Sequence, residues 1–180
     1  NDGALDFFIG GHGFNGDSIY YRRGDTYTAS TFMFAPGKDR HACASADVNG
    51  DGWLDLYCTT GADQGQSLNP NELWMGVNGT DFRRVYRKFG AEDPAGRGRL
   101  TSFLNFNGDD KPDLFVSVWG KRSDGALNES SIYINRGARF ERRVTLARVD
   151  IGDDRRVGKQ RARERKSHHA DAAQPNQQHR

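Results

Sequence analysis

The sequence predicts an all-β fold, specifically a β-propeller fragment of about three blades whose hairpins carry acidic loops. An acidic loop recurs three times along the chain, and a glycine turn recurs three times at nearly the same spacing. Short runs rich in aromatic and β-branched residues follow both landmarks, as in strands. Residues 1–145 show no amphipathic helix pattern. We therefore expect blades over about 1–40, 41–98 and 99–146, with the first truncated.

The acidic loop is complete at residues 47–55, which read Asp-Val-Asn-Gly-Asp-Gly-Trp-Leu-Asp. Residues 105–113 read Asn-Phe-Asn-Gly-Asp-Asp-Lys-Pro-Asp, and residues 1–6 match only the second half of the loop. The aspartates that close the three loops are 49 and 58 residues apart: Asp6, Asp55 and Asp113. Each loop is expected to join two antiparallel strands, with strands expected over 41–60, 71–85, 100–118 and 131–143.

The second landmark is a glycine turn between two apolar runs. The turn glycines are 55 and 58 residues apart: Gly24, Gly79 and Gly137. An aromatic residue follows each turn (Tyr27, Phe82 and Phe140), and we expect it to pack between neighbouring sheets. Each unit then reads strand, acidic loop, strand, variable loop, strand, glycine turn, strand. This is the order of a four-stranded propeller blade.

The number of units and the end of the chain set the domain organisation. Propellers close with about four to eight blades, so three units are expected to form part of a ring. Residues 155–180 hold 8 Lys and Arg against 2 Asp and Glu, whereas residues 1–154 hold 18 against 22. No Val, Ile, Leu, Met, Phe, Tyr or Trp follows Val157. Residues 147–180 are therefore predicted to be a basic, disordered tail.

The spacing of the oxygen-bearing side chains in the 47–55 loop points to Ca²⁺. This hard cation takes six to eight oxygen ligands, and alternate residues of a tightly wound loop turn inward. Asp47, Asn49, Asp51 and Asp55 offer side-chain oxygens, and Trp53 offers its carbonyl. Gly52 permits the positive φ that the loop needs. The alternative is an Asp/Asn/Gly turn without metal, which these residues also favour.

The other two loops are expected to bind Ca²⁺ less well. In the 105–113 loop the candidate ligands are Asn105, Asn107, Asp109, Lys111 through its carbonyl, and Asp113. This loop has two carboxylates, so its ligand charge is lower than that of the 47–55 loop. Asp110 stands where the 47–55 loop has Gly52. In the 1–6 segment only Asp2 and Asp6 remain as candidates. An EF-hand is excluded because Cys58 and Val116, inside apolar runs, replace its bidentate glutamate.

The acidic loop together with the later strand and turn resembles the FG-GAP/VCBS repeat over roughly residues 1–143. That repeat builds the propellers of integrin α-subunits, fungal propeller lectins and cartilage-acidic-protein-like secreted proteins. The segment Gly96-Arg97-Gly98-Arg99 is similar to segments of the last group. The resemblance implies an extracellular propeller with Ca²⁺ in its hairpin loops and ligand contacts on its interblade loops. It does not fix a ligand, because one fold hosts many functions.

Further sequence features bear on location. The two cysteines, Cys43 and Cys58, flank the acidic loop almost symmetrically, which leaves open a cross-strand bridge or a pair of buried thiols. Asn78 and Asn128 begin N-glycosylation sequons, as in a secreted glycoprotein. Arg23-Gly24-Asp25 spells an integrin-recognition tripeptide, but Gly24 is already explained by the turn. No apolar run is long enough to span a bilayer.

The predicted function is a calcium-stabilised extracellular binding or scaffold module that recognises protein or glycan. It is not expected to be an enzyme, since every clustered carboxylate is assigned to metal and no nucleophile or phosphate-loop motif occurs. Nucleic acid is not expected as a partner, because no aromatic residues accompany the basic tail. The alternative is an accessory propeller of a larger secreted enzyme. Exposed Phe14 and Trp119 would favour a glycan ligand.

Overall fold

A computed structural model describes residues 3–11, 16–61, 68–85, 88–120, 129–137 and 139–146. Within these ranges the chain is all-β and contains no helix, and hence none that could cross a membrane. The strands are β1 (Phe7–Ile9), β2 (Ser18–Arg23), β3 (Thr26–Ala29), β4 (Arg40–Ala46), β5 (Asp55–Thr60), β6 (Glu72–Gly76), β7 (Phe82–Arg84), β8 (Gly98–Leu104), β9 (Asp113–Val118), β10 (Ser130–Asn135) and β11 (Phe140–Leu146).

The strands form three antiparallel sheets, each a meander in chain order. The first sheet is β1–β3, the second β4–β7 and the third β8–β11. The acidic loops 47–54 and 105–112 join β4 to β5 and β8 to β9, as predicted. The strands of the first sheet correspond to the last three strands of the others, since β1, β5 and β9 each begin at or just after a loop-closing aspartate. The predicted tail, 147–180, lies outside the described residues.

The glycine turns lie between the last two strands of each sheet. Gly24, Gly79 and Gly137 have φ values of 62°, 87° and 85°, in the left-handed region that glycine adopts without steric cost. Glycine separates the apolar runs at these positions because a side chain there would strain the turn. The turn glycines were therefore correctly predicted from sequence.

One apolar core lies between the second and third sheets. It is built from the buried side chains Val48, Tyr57, Leu73, Phe89, Ala91, Leu114, Val116, Tyr133 and Phe140. The Tyr57 hydroxyl donates to the carbonyl of Ala91 at 2.7 Å and accepts from Asn71 Nδ2 at 2.9 Å. A buried phenol needs such partners, because an unmade hydrogen bond costs about 1–3 kcal/mol. These bonds attach the segment that precedes β8 to the middle of the second sheet.

A second core lies between the first and second sheets. Its buried members are Ile19, Phe34, Leu56, Cys58 and Trp74. Phe32, Phe34 and Trp74 meet edge to face, with ring centroids 5.0–5.6 Å apart. Edge-to-face contact places the positive ring edge against the negative ring face, which adds to the gain from burial.

The aromatic residues that follow the turns behave in two ways. Phe140 is buried in the core between the second and third sheets, and Phe82 packs on Phe32 at 5.2 Å, as expected. Tyr27 differs: it stays 42% exposed and packs on Phe7 of its own sheet at 4.6 Å. The described residues place no further sheet against that side of the first sheet. The intersheet position expected for Tyr27 was therefore wrong.

Arg40, at the start of β4, is the centre of a buried ion network. Its Nε lies 2.6 Å from Glu72 Oε2, and its terminal nitrogens contact Asp17 Oδ2 and the carbonyl of Ala35. Arg84 contacts the second carboxylate oxygen of Glu72 at 2.8 Å. Two carboxylates and an arginine can be buried here only because each charge has a partner. The network joins the first sheet to the second.

We expect Arg40→Gln to lower the free energy of unfolding by about 3–5 kcal/mol, because it leaves Glu72 and Asp17 buried without their cation. Arg136→Gln is the matched control, since Arg136 and Glu141 form a pair in which both side chains are more than half exposed. That change is expected to cost about 1 kcal/mol or less. Urea unfolding checks both values, and equal losses would contradict the network.

Cys43 and Cys58 face each other across β4 and β5 and form a disulfide. Their separation of 15 residues closes a loop that contains the whole 47–55 segment. The corresponding pair in the third sheet is Thr101 and Val116, which has no covalent bond. The bridge therefore restrains the first complete acidic loop and not the second.

Reduction of this bridge is expected to lower the free energy of unfolding by about 3 kcal/mol, the value for a closed loop of about 15 residues. The double variant Cys43→Ala, Cys58→Ala should show a comparable loss without reductant and no further loss with it. Urea unfolding with and without reductant measures this. An unchanged midpoint for the reduced wild-type protein would contradict the prediction.

Candidate metal-binding loops

The loop at 47–55 is wound around the carboxylate of Asp47. Asp47 Oδ1 accepts hydrogen bonds from the amides of Gly50 and Asp51, and Oδ2 accepts from the amide of Gly52, at 2.8–3.0 Å. Gly50 and Gly52 have φ values of 77° and 89°, which the winding requires. The sequence prediction of a positive φ at Gly52 is confirmed.

The next two predicted ligands hold the tip of the loop. Asn49 Nδ2 donates to Asp51 Oδ2 at 2.8 Å, and the amide of Trp53 donates to Asp51 Oδ1 at 2.9 Å. These two hydrogen bonds lower the pKa of Asp51 below its usual value, and the bond from Asn49 has the larger effect. Asp51 is therefore a solvent-exposed, ionised carboxylate at neutral pH. The Trp53 ring covers Gly79 in the neighbouring turn, where a Cβ would lie 3.1 Å from the ring.

Asp55, which closes the loop, is fully buried. Its Oδ2 accepts from the amide of Val48 at 2.9 Å, and its Oδ1 accepts from the amide of Gly76 at 2.8 Å. Burial raises the pKa of Asp55, and the charges of Asp51 and Asp47 add to that rise, while the two amides oppose it. One side chain thus links the acidic loop to the end of β6.

The loop at 105–113 repeats these contacts. Asn105 Oδ1 accepts from the amide of Gly108 at 2.8 Å, Asn107 donates to Asp109 at 2.9 Å, and the amide of Lys111 donates to Asp109 at 3.1 Å. The bond from Asn107, followed by that from Lys111, lowers the pKa of Asp109. Asp110 has a φ of 61°, so the expected replacement of glycine by a tolerant aspartate is confirmed.

Asp113 and Asp6 occupy the same place as Asp55. The buried Asp113 accepts from the amide of Phe106 at 2.9 Å and from the amide of Asn135 at 2.9 Å. Asp6 accepts from the amide of Arg22 at 2.9 Å. Asp2, the other predicted ligand of the first segment, lies outside the described residues. In all three sheets the loop-closing aspartate holds the end of the strand before the glycine turn.

The sequence indicated these aspartates as metal ligands and missed their hydrogen-bonding role. The signal was present in their spacing, since Asp6, Asp55 and Asp113 each begin or precede an apolar run. Spacing alone does not show that the partner amide lies 21 residues downstream of Asp55 and 22 residues downstream of Asp113. This partner becomes visible only when the next hairpin is folded back.

The donor chemistry of the 47–55 loop fits a hard cation, with three carboxylates, one amide oxygen and the Trp53 carbonyl in nine residues. Its present arrangement is less complete. Among the residues that the structure describes, no group of three or more His, Cys, Asp or Glu side chains is arranged to hold a metal ion. The carboxylates of Asp47 and Asp51 bind their own loop amides instead. Calcium binding by these loops stays a prediction.

Other predicted residues have simpler positions. Asn78 lies in a glycine turn, where its Oδ1 accepts from the amides of Thr80 and Asp81 at 3.0 and 2.9 Å. Gly24 of the Arg-Gly-Asp tripeptide is a turn glycine, as interpreted from sequence. Trp119 is 56% exposed. Phe14 and Asn128 lie outside the described residues.

Repeated antiparallel sheets, whose strands are joined by acidic hairpin loops and glycine turns, define a β-repeat protein. Residues 1–58 match the model of the FG-GAP-like repeat family, and the chain carries an FG-GAP-like repeat. The matched segment contains the first sheet and β4, and it ends within β5. Comparisons with curated proteins and with solved structures gave no significant match.

In a metal-free buffer, Asp55→Ala is expected to lower the free energy of unfolding by about 3 kcal/mol, since two buried amides lose a charged acceptor. Asp113→Ala should act in the same direction. Asp51→Ala is the control: its partners are exposed, so water replaces the lost bonds and the unfolding midpoint should hardly move. Urea unfolding in EDTA measures the difference, and similar midpoints for the three variants would contradict the buried hydrogen-bonding role.

Proposed function

We propose that this chain is a calcium-stabilised, extracellular binding or scaffold module of β-propeller blades that recognises protein or glycan. The observation that carries the proposal is the complete donor set of the 47–55 loop, held between two strands by the buried Asp55. The same loop architecture recurs at 105–113 with fewer carboxylates. Two such loops at the same end of adjacent sheets favour metal-stabilised repeats.

The electrostatics of the first complete loop support a cation. Burial raises the pKa of Asp55, and the nearby charges of Asp51 and Asp47 add to that rise, so the negative charges of the loop oppose one another. A divalent cation bound by the three carboxylates, Asn49 Oδ1 and the Trp53 carbonyl would offset that repulsion. Its role would be structural, because it would stiffen the hairpin that Asp55 joins to β6. The 105–113 loop would bind more weakly through Asn105, Asn107, Asp109, the Lys111 carbonyl and Asp113.

The sheet arrangement supports blades of a propeller. The first strands of the second and third sheets, β4 and β8, lie beside each other, and the sheets pack through apolar faces. Asn135 Nδ2 donates to the carbonyl of Val48 at 2.8 Å, which joins the third sheet to the acidic loop of the second. Successive four-stranded meanders packed face to face, with first strands adjacent, are the geometry of propeller blades.

An extracellular location is supported by the disulfide between Cys43 and Cys58, because such bridges persist in oxidising compartments. A binding role is supported by the division between the two ends of the sheets. The acidic loops stabilise the sheets at one end, so the opposite ends are left for recognition. Scaffolds with rigid sheets commonly carry their binding residues on the connecting segments.

Calcium is expected to raise the melting temperature of the intact chain. At free Ca²⁺ a hundredfold above its dissociation constant, linkage stabilises the folded state by about 2.7 kcal/mol. Asp51→Ala should remove most of this gain, and Asp109→Ala should remove less, since its loop carries fewer carboxylates. Calorimetric melts and direct Ca²⁺ titration measure the effect.

The charge-matched control is Asp25→Ala, which removes an exposed carboxylate from a glycine turn rather than from a loop. Its calcium-dependent gain should equal that of the wild-type protein. Absence of Ca²⁺ binding, together with an unchanged melt in EDTA, would overturn the calcium part of the proposal.

A further inference from the structure

The ends of β4 and β8 remote from the acidic loops carry equivalent sites of different chemistry. Each strand has a β-bulge near its start, with His41 as the extra residue in β4 and Arg99 in β8. Bulges re-aim a side chain and often lie beside functional sites. The amide of Gly61 donates to the backbone carbonyl of Asp39, and the amide of Trp119 donates to the backbone carbonyl of Arg97, both at 2.9 Å.

These hydrogen bonds fix the structural correspondence between the two sheets. Position by position, the equivalent residues are Asp39 and Arg97, His41 and Arg99, and Gly61 and Trp119. The repeats therefore preserve the backbone at this end and change the three side chains. The comparison is internal to one chain, so a general difference in fold does not explain it.

In the second sheet the side chains of the site pair with each other. His41 Nε2 lies 3.1 Å from Asp39 Oδ2, which pairs the basic residue with an acidic one. Gly61 completes the arrangement, because a Cβ at this position would overlap both side chains. The Asp39 carboxylate and the His41 ring are thus partners of each other, and a side chain at position 61 would displace them.

In the third sheet both charged residues are arginines. The Cζ atoms of Arg97 and Arg99 lie 5.0 and 5.5 Å from the ring centroid of Trp119. Neither guanidinium forms an ion pair with any residue that the structure describes. Burial and then the charge of Arg97 lower the pKa of Arg99, against the opposing effect of Asp39. The positively charged guanidinium groups of Arg97 and Arg99 thus lie close together, partly buried, beside the exposed indole of Trp119.

Arg97 gives a second sign of an incomplete site. Its Nε is buried and has no hydrogen-bond acceptor among the described residues. The backbone leaves room for its guanidinium at Gly120, which has a φ of 70° and where a Cβ would lie 2.9 Å from a terminal nitrogen of Arg97. A buried donor without an acceptor costs free energy, which an incoming anion could recover.

We propose that Arg97, Arg99 and Trp119 form a binding site for an acidic saccharide. The two guanidinium groups would bind a carboxylate or sulfate of the sugar through charge-assisted hydrogen bonds. The exposed part of the indole would pack against the apolar side of the sugar ring. This inference rests on the proposed recognition function and names its ligand class. The combination of a cation pair and an exposed aromatic favours a charged ring over an acidic peptide, which supplies charge without a ring.

The test measures binding of three tetrasaccharides to the intact chain by isothermal titration calorimetry in 0.15 M salt with Ca²⁺. The probes are a hyaluronan tetrasaccharide, which carries carboxylates, a heparin-derived tetrasaccharide, which carries carboxylates and sulfates, and the neutral chitotetraose. A tetraglutamate peptide tests whether charge alone is sufficient. At least one acidic tetrasaccharide is expected to bind about tenfold more tightly than chitotetraose and tetraglutamate. A tenfold difference in affinity is what one charge-assisted contact is expected to contribute. The better of the two shows whether carboxylate or sulfate is preferred.

The double variant Arg97→Gln, Arg99→Gln is expected to weaken that binding at least about tenfold, and Trp119→Ala should weaken it while Trp119→Phe retains most of it. The control Arg155→Gln, Arg156→Gln removes the same charge from the basic C-terminal segment and should change the affinity less than about threefold.

Several results would overturn this site. If the two double variants lose the same affinity for the acidic tetrasaccharide, the attraction is an unspecific effect of net charge. If tetraglutamate binds as tightly as the acidic tetrasaccharides, the ligand is an acidic peptide. Equal binding of chitotetraose, or no binding of either acidic tetrasaccharide, also overturns it. The melting temperature of each variant with and without Ca²⁺ separates the two proposals. A normal calcium shift without acidic-saccharide binding contradicts only the inference, whereas loss of the calcium shift in the wild-type protein contradicts the proposed function.

Discussion

The structure depends on the buried carboxylates that close the two complete acidic loops, at 47–55 and 105–113. Asp55 accepts one amide from its own loop and one from the end of β6, and Asp113 makes the same two kinds of contact in the third sheet. A buried carboxylate is stable only when its oxygens have donors, so the loop and the following hairpin must fold together. The acidic loop is therefore part of the framework of each sheet, with or without a metal ion.

This double connection is compatible with the calcium binding that we propose for the same motif. The amides that bind Asp55 oppose the rise in its pKa, while Asp47 and Asp51 increase it. The framework thus holds one carboxylate in place at the cost of repulsion from the two others. A cation could relieve the repulsion at Asp55 without displacing its hydrogen bonds, because each of its two oxygens accepts one amide and keeps a second lone pair. Structural and metal-binding roles of Asp55 are compatible.

The sequence predicted what the period determines, namely the all-β class, the hairpins that contain the acidic loops and the turn glycines. It could not predict contacts between residues far apart in the chain. Asn135 reaches the carbonyl of Val48 across 87 positions, and Arg40 reaches Glu72 across 32. Such partners follow from how the sheets pack, which no local pattern specifies. The intersheet position expected for Tyr27 failed for the same reason, since it requires a neighbouring sheet.

The two ends of the sheets show where a repeat protein can acquire a specific function. At the acidic-loop end the closing aspartate must be kept, because Asp55 and Asp113 accept from equivalent buried amides. At the other end the backbone alone makes the repeated hydrogen bonds, from Gly61 and from Trp119, so the side chains are free to differ. The framework therefore does not require two adjacent arginines or an exposed indole there. The buried Arg97 Nε, without an acceptor in the described part of the chain, and the nearby guanidinium of Arg99 are therefore the features on which the proposed saccharide site rests.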